Sequence, residues 1–446
     1  MPDEHIISHV IFGWDPLWVS VTLFILTYAI LITERVNRAI VALLGAGLMI
    51  MSGVLSQHDA MNGEDFNTLG LLAGMMVIVA ITRKSGVFEY VAIWSAKKVG
   101  ARPWGILLML SCVTAVFSAL LDNVTTVLLI APVTLLITSE LKVNPFPYLF
   151  SEILASNIGG TATLIGDPPN IMIGSAVNLS FNDFLLNLAP IAVVIMIVNM
   201  TLIYFIWGRQ LDASVEARQR IMDFNERKSI SDVTLLKQSL FVLTAVIAGF
   251  MLAHQLHLQP ATIALFGAAC LMLLNNLRRK PDAQSERVHA SFSEVEWVTI
   301  FFFLGLFILV HGIERAGALE IMSGKLLDIT KGDMGSTAIV VLWVSAIASA
   351  LVDNIPYVAT MIPLIKSMAP SFGGAENLVP LWWSLALGAC LGGNGSLIGA
   401  SANLIVAGYA ERAGHAIRFI PFMLRAFPLM LVSVAIANIY VYLRYL

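Results

Sequence analysis

An Asp-Asn pair occurs twice in stretches of sequence that are otherwise almost wholly apolar. Asp122 and Asn123 lie within LLDNVTTVLL, and Asp353 and Asn354 lie within LVDNIPYVAT. A carboxylate inside a bilayer is tolerated only where it faces protein or a water-filled cavity, and there it can hold a cation or carry a proton. Each aspartate can also cap the helix that follows it. Capping does not exclude binding, so both pairs are candidate ion sites.

A second pair of motifs predicts interrupted helices. SNIGGTATLIGDPPN begins at residue 156, and LGGNGSLIGASAN begins at residue 391. Gly-Gly and Pro-Pro do not propagate a helix, so an apolar span that contains them unwinds and exposes backbone donors and acceptors. The polar side chains of the two breaks complete the candidate site: Asn157, Thr161, Asp167 and Asn170 in the first, and Asn394, Ser396 and Asn403 in the second. The second break has Ala400 in place of Asp167, so only the first supplies a carboxylate.

The elements that position these motifs are membrane helices. Of 446 residues, 58% are hydrophobic and 12% are charged, which is more apolar than one water-soluble core requires. The formal net charge of -3 argues against a nucleic-acid partner. The three cysteines have no metal-ligand or disulfide spacing, and we expect no metal site and no cofactor.

Apolar runs predict an all-α fold of about ten transmembrane helices. The predicted spans lie near 15–33, 39–55, 68–82, 148–175, 188–207, 234–254, 261–277, 296–312, 381–409 and 421–441. Residues 103–140 and 338–370 have arms that are marginal for a crossing, and we expect them to form re-entrant hairpins with the Asp-Asn pairs at their tips. This topology puts 19 of the 26 lysines and arginines on one side, which is then cytoplasmic, with both termini outside. Residues 83–103 and 314–333 predict amphipathic surface helices.

The motifs also reveal an internal repeat. The Asp-Asn motifs are 231 residues apart and the Gly-Gly motifs 233. We predict an N-terminal repeat at 1–207, a cytoplasmic linker at 208–233 and a C-terminal repeat at 234–446, inverted because each half crosses the membrane five times. Such repeats favour a secondary transporter with its site between them, and not an enzyme. A passive channel is less favoured because it needs a continuous wet path, and the chain has no nucleotide-binding loop for an ATP-driven pump.

The sequence DNVTTVLLIAPVTLL, followed by SNIGGTATLIGDPPNIMIG, resembles the signature of the ArsB/P-protein permeases of the ion transporter superfamily. That group includes arsenite effluxers and P protein and is related to NhaD sodium/proton antiporters and dicarboxylate carriers. The resemblance implies an elevator mechanism, in which the two hairpins and the two broken helices slide against a scaffold of the remaining spans. It also implies an inner-membrane location, and it allows for a homodimer and for a soluble ATPase subunit.

From these features the sequence predicts proton-coupled efflux of arsenite or antimonite. Asp122, Asp167 and Asp353 are the proton-coupling candidates, and hydroxyl and amide groups would bind the neutral metalloid. Cys390, beside the second Gly-Gly, is at most a transient ligand for arsenic. A sodium/proton antiporter and a small-anion carrier on the same scaffold are the alternatives. An anion is less favoured because we expect no lysine or arginine near either motif, although helix N-termini could partly compensate.

Overall fold

The computed structural model describes residues 10–33, 35–277 and 279–446, and the helices in these ranges are long and mostly apolar. The first half contains α1 (Pro16–Thr33), α2 (Arg38–Met51), α3 (Gln57–Asn62), α4 (Phe66–Arg83), α5 (Val87–Lys98), α6 (Pro103–Leu120), α7 (Asn123–Leu141), α8 (Phe146–Thr161), α9 (Pro168–Val177), α10 (Phe181–Ile203) and α11 (Val215–Met222). The second half contains α12 (Val233–Leu256), α13 (Pro260–Asn276), α14 (Pro281–Phe292), α15 (Trp297–Arg315), α16 (Ala318–Thr330), α17 (Met334–Leu351), α18 (Asn354–Ser367), α19 (Val379–Gly392), α20 (Ser401–Arg412) and α21 (Phe419–Tyr445). The predicted external N-terminus falls on residues 1–9, outside these ranges.

Nine of the described helices are long and apolar enough to cross a membrane. The helices α2 and α13 are apolar but shorter. Large apolar side chains such as Phe241 and Phe266 are exposed, as is typical of surfaces that face lipid. Each span predicted from the sequence coincides with one helix or with one interrupted helix. The interruptions fall between α8 and α9 and between α19 and α20, at the two Gly-Gly motifs.

Both predicted hairpins are present as pairs of packed helices, but three of their four arms are longer than expected. The arms α6, α7 and α17 have 18, 19 and 18 residues, about 27 Å each, and only α18 is shorter, with 14. Nothing interrupts the apolar runs before the aspartates, so each first arm continues until the chain reaches its Asp-Asn pair.

The helices pack in two groups. In the first, which we call the central bundle, α6 packs along α8, α17 packs along α19, and α20 packs on α7. In the second, which we call the outer group, α2 packs along α15, and α13 packs along α4 and α12. The resemblance implies that α10 and α21, as remaining spans, belong to the scaffold with the outer helices. In the structure, however, α10 packs on α8, and α21 packs on α19. The central bundle therefore comprises α6–α10 and α17–α21.

The short helices α5 and α16 form at the predicted surface segments. Each begins after a glycine with a left-handed backbone, Gly86 with φ 80° and Gly317 with φ 82°. The linker after α11 is held on α5 because Lys97 Nζ donates to Glu226 Oε2 at 2.6 Å and to the Phe224 carbonyl at 2.7 Å. The hydrogen bond from Lys97 lowers the pKa of Glu226.

Candidate substrate and ion site

The two helix breaks are built in the same way. The Thr163 hydroxyl donates to the Ala119 carbonyl at 2.5 Å, and the Ser396 hydroxyl donates to the Ala350 carbonyl at 2.5 Å. Each bond fastens a break to the end of the first arm of its hairpin. The residues in the two bonds are related by the shifts of 233 and 231 that the sequence shows. Ser396, a predicted site residue, therefore has its hydroxyl committed to the backbone.

An asparagine closes each break. Asn170 Nδ2 donates to the carbonyl groups of Gly160, Thr161 and Thr163, with the shortest distance 2.9 Å, to Thr163. Asn403 Nδ2 donates to the carbonyls of Gly393 and Ser396 at 2.7 and 2.8 Å. The asparagines hold carbonyls that the interrupted helices leave without backbone partners.

Asn157 joins the two halves of the site. Its Nδ2 donates to Asn394 Oδ1 at 2.9 Å and to Asn403 Oδ1 at 3.0 Å, while its Oδ1 accepts from Asn123 Nδ2 at 3.2 Å. All four side chains are buried. Asn123 Oδ1 and Asn394 Nδ2 have no hydrogen-bond partner among the described residues. One acceptor and one donor in this network are thus left for a ligand or water.

The three predicted carboxylates differ in their partners. Asp122 accepts from the backbone N–H of Thr125 at 2.7 Å and from its hydroxyl at 2.5 Å. Asp353 accepts from the Ile355 N–H at 3.0 Å. Both aspartates are therefore helix caps, as the alternative reading of the sequence predicts. Asp167 makes no side-chain cap and instead accepts from Asn354 Nδ2, which lies 3.3 Å from each carboxylate oxygen.

Arginine lies beside the second half of the site, so the expectation that neither motif has a basic neighbour is wrong. Arg38 Nη1 is 3.4 Å from Asp353 Oδ2, and Arg38 also donates to the hydroxyls of Ser401 and Thr299. Ser401 Oγ in turn donates to Asp353 Oδ2 at 2.7 Å. Arg38 begins α2, which packs in the outer group, so the chain brings it to Asp353 only through tertiary packing.

Four helix N-termini meet at this network: those of α7, α9, α18 and α20. The Asn123 N–H donates to the Gly166 carbonyl at 3.0 Å, which joins the start of α7 to the start of α9. The Asp167–Asn354 and Asp353–Ser401 bonds link α9, α18 and α20 in the same way. Helix N-termini carry partial positive charge and favour anions.

Besides Ser396, two predicted residues have side chains that already contact other groups of the protein. The Thr161 hydroxyl donates to the Asn157 carbonyl of its own helix. Cys390 is fully buried, and its thiol lies 3.5 Å from Asn170 Oδ1. The other predicted residues lie at the breaks or at the hairpin tips, as expected.

The sequence interpretation missed two residues, Arg38 and Glu152. Glu152 lies in α8, is 1% exposed, and accepts a hydrogen bond from the Thr134 hydroxyl of α7. A single acidic residue inside the apolar run of α8 is a signal that could have identified it. No local pattern marks Arg38, which lies at the predicted cytoplasmic end of a span, where arginine is common.

Two cavities reach the site from the side that holds the basic loops. One of about 450 Å³ is lined by Arg38, Asp353 and Ser401. The other, of about 690 Å³, is lined by Thr125 and by the exposed Arg83 and Lys84. On the opposite side the two groups of helices are in contact: Asn67 Nδ2 and Asp65 Oδ1 lie 3.0 and 2.8 Å from Ser175 Oγ of α9. The two cavities lined by Asp353 and by Thr125 therefore open toward the predicted cytoplasmic side.

Comparison with known structures shows the fold. The YdaH transporter of Alcanivorax borkumensis aligns with a TM-score of 0.60 at 13% identity, over 97% of this chain and 99% of that one. MtrF of Neisseria gonorrhoeae, described as belonging to a class of antimetabolite efflux pumps, aligns with a TM-score of 0.57 at 11% identity, over 97% and 95%. The chain thus has the helical fold of these two transporters.

Comparison of sequences shows the family. An uncharacterized transporter of Mycobacterium tuberculosis is 42% identical over 96% of this chain and 98% of its own length. A 46 kDa membrane protein of Mycobacterium leprae is 40% identical over 96% and 99%. Human P protein is 33% identical over 93% of this chain, which spans 58% of that protein. These relatives agree with the P-protein side of the predicted resemblance, and none of them is named for arsenite.

The CitMHS family model, described as citrate transporter, matches residues 28–388. A match of this length and relatives of this identity together identify a multi-pass membrane protein and exclude the enzyme class. The chain belongs to the CitMHS family of secondary transporters, within the ion transporter superfamily.

Proposed function

We propose that the protein is a cation-coupled carrier of a small organic anion with two or three carboxylates, of which citrate is the first to test. The observation that carries this proposal is the meeting of four helix N-termini with Arg38 at one hydrogen-bond network. Positive helix ends and a guanidinium together favour carboxylate groups. The family description as citrate transporter supports the same substrate class.

In this proposal the amide side chains hold the substrate, and a coupling cation balances the negative charge that the substrate adds to the buried carboxylates. Asn123 Oδ1 and Asn394 Nδ2 still have hydrogen bonds to make. Asp122, Asp167 and Asp353 surround the same network, and one guanidinium does not neutralise three carboxylates and an anion. H⁺ or Na⁺ must therefore bind with the substrate, which couples the two fluxes.

Transport proceeds by an elevator movement in this proposal. The central bundle would carry the site, and the outer group would form the scaffold, with the two halves at 1–207 and 234–446 as inverted repeats. The cavities on the predicted cytoplasmic side, and the Asn67–Ser175 contact on the other side, support an inward-facing state. The packing of α10 and α21 on the broken helices supports their moving with the site. A single site closed on one side disfavours a passive channel.

Arsenite efflux and sodium/proton antiport are the two other functions to test. Arsenite efflux stays a prediction of the sequence, because neither the relatives nor the thiol of Cys390, which is away from the cavities, gives it specific support. The three carboxylates favour antiport. An antiporter binds only cations, however, so the four helix N-termini and Arg38 would have no anion to bind. The homodimer, the ATPase subunit and the inner-membrane location also remain predictions.

The test is counterflow of radiolabelled citrate into proteoliposomes that contain unlabelled citrate, succinate or arsenite. We expect internal citrate, and more weakly succinate, to stimulate uptake, and an imposed H⁺ or Na⁺ gradient to drive accumulation. Asp122→Asn and Asp353→Asn keep the helix caps, because asparagine also caps, and remove the charge. They should therefore fold and lose gradient-driven accumulation. Sodium flux without citrate flux would instead identify an antiporter, and stimulation by arsenite alone would identify a metalloid carrier.

A further inference from the structure

Glu152 is a buried carboxyl outside the network described above. It lies five residues before Asn157 on α8, about 7.5 Å along the helix toward the end that begins at Phe146. Its side chain is 1% exposed, and its Oε1 accepts a hydrogen bond from the Thr134 hydroxyl. It therefore lies between the asparagine network and the cytoplasmic ends of α7 and α8.

Among the described residues Glu152 has no cationic partner. Arg425 lies over the ring of Phe146 at the start of α8 and does not bond to Glu152. The other titratable or charged groups on α8 and on the helices packed against it do not bond to Glu152 either: Cys112, Glu140, Tyr148, Asp183, Cys390, Tyr409, Glu411 and Arg412. Tyr148 donates to the Pro103 carbonyl, and Glu140 pairs with Arg220. An ionised carboxylate with a single hydroxyl partner in this place is costly, whereas the neutral acid is tolerated.

Asp122 and Asp353 have more partners than Glu152, since each accepts from a backbone N–H and from a hydroxyl. Such paired donors stabilise an ionised carboxylate. Asp167 is fully buried with one amide partner, Asn354, and lies within the network that the substrate would contact. Glu152 is therefore the weakly partnered carboxyl outside that network, where it can bind and release a proton while the site exchanges substrate.

The internal repeat shows that packing does not require this pair. The shifts of 233 and 231 place Leu385 at the position of Glu152 and Ile365 at that of Thr134. Both are fully buried, so the second half fills the equivalent space with apolar side chains. A carboxyl and a hydroxyl that stability alone would replace by leucine and isoleucine point to a function.

Polar groups also lie on α6 beside this part of α8. The backbones of Ala115 and Gly159 are in such close contact that a Cβ atom on Gly159 would lie 2.5 Å from Ala115 Cα. Ser111, one turn before Ala115, therefore lies near the level of residue 155, between Glu152 and Asn157. The hydroxyls of Ser111 and Thr114 are buried without a partner among the described residues. Buried hydroxyl groups are therefore present on α6 at the level between Glu152 and the site.

We propose that Glu152 is the proton-binding residue that couples this carrier to the proton gradient. Its carboxylate takes up one proton in the outward-facing state, stays neutral while the loaded central bundle moves, and releases that proton on the cytoplasmic side. This inference rests on the proposed function, since it needs a carrier whose substrate exchange can be measured. It differs from that function in naming both the coupling ion and its residue.

The test separates exchange from coupled accumulation in proteoliposomes, with radiolabelled citrate as the probe. Glu152→Gln mimics the neutral acid, so it should retain citrate counterflow and lose accumulation driven by a pH gradient. Its counterflow should also stop depending on pH, which a purely structural role would not produce. The double variant Thr134→Ile/Glu152→Leu copies the second half of the chain and should show the same uncoupling.

Each result decides between defined possibilities. Accumulation that persists in Glu152→Gln overturns the proposal, as does loss of counterflow in a variant that remains monodisperse. If neither variant yields monodisperse protein, the pair is structural and the proposal is wrong. Failure of the wild-type protein to exchange citrate would instead reject the proposed function, whatever the variants do.

Discussion

Arg38 and Asp353 form an ion pair across the boundary between the outer group and the central bundle, with Arg38 Nη1 3.4 Å from Asp353 Oδ2. The side chains are 29% and 20% exposed and line the cavity of about 450 Å³. An ion pair that is partly exposed contributes only about 0–1 kcal/mol. Arg38 can therefore leave Asp353 at little cost and bind an anion that enters the cavity.

We predict that Arg38→Gln weakens substrate binding more than it slows turnover. Loss of a hydrogen bond between charged groups costs about 1.5–3 kcal/mol, which corresponds to a KM for citrate about 10- to 100-fold higher. The measurement is the initial rate of citrate uptake over a range of concentrations. Arg35→Gln is the matched control, because Arg35 is an exposed arginine three residues earlier, in the loop before α2, and should leave KM unchanged. An unchanged KM in Arg38→Gln would contradict a role in binding.

Asn157→Ala should abolish transport and lower stability. The substitution leaves Asn123 Nδ2 and the Oδ1 atoms of Asn394 and Asn403 without this partner. Each buried polar group that loses its hydrogen bond lowers the free energy of unfolding by about 1–3 kcal/mol. Asn199→Ala is the control, since Asn199 is equally buried but bonds to Ser433 in α21, away from the site. Thermal unfolding in detergent should show a lower Tm for both variants, whereas citrate counterflow should fail only for Asn157→Ala. Equal counterflow in the two variants would mean that Asn157 is structural only.

Gly166→Ala should disrupt the first break. A Cβ atom on Gly166 would lie 2.6 Å from the Gly160 carbonyl oxygen and 2.7 Å from that of Ser118, and both are backbone atoms that cannot move aside. The control Gly47→Ala has no atom within 4 Å of the added Cβ and lies inside α2, where alanine is the better helix former. We expect Gly166→Ala to lower Tm and counterflow, and Gly47→Ala to leave Tm unchanged or raise it. A Gly166→Ala protein of normal Tm would show that the break is wider than described.

The sequence predicted the parts of the site whose signals are local. Gly-Gly and Pro-Pro mark the breaks, and the Asp-Asn pairs mark the hairpin tips, because these residues act on the backbone within one or two turns. Arg38 could not be placed, since it is 315 residues from Asp353 along the chain and only packing joins them. The position of α10 and α21 in the central bundle was missed for the same reason. Hydropathy identifies a span but not its neighbours.

The closing contact between Asn67 and Ser175 gives the most direct test of the elevator movement. Asn67 begins a helix of the outer group, Ser175 lies in α9 of the central bundle, and Asn67 Nδ2 is 3.0 Å from Ser175 Oγ. In a background where Cys112, Cys270 and Cys390 are replaced by alanine or serine, we predict that Asn67→Cys/Ser175→Cys forms a disulfide under mild oxidation. The oxidised protein should bind citrate but not exchange it, because the two groups of helices can no longer slide, and reduction should restore exchange.

Two single-cysteine variants under the same oxidation are the controls for this cross-link, and both should keep their exchange activity. A disulfide requires Cα atoms about 4.4–6.8 Å apart, so formation of the bond would show that the two backbones come this close at the boundary. Full citrate exchange by the fully cross-linked protein would contradict the elevator, because the central bundle would then transport without moving past α4. Arrest by the cross-link, with citrate binding retained, would show instead that relative motion at this boundary is a step of transport and not of binding.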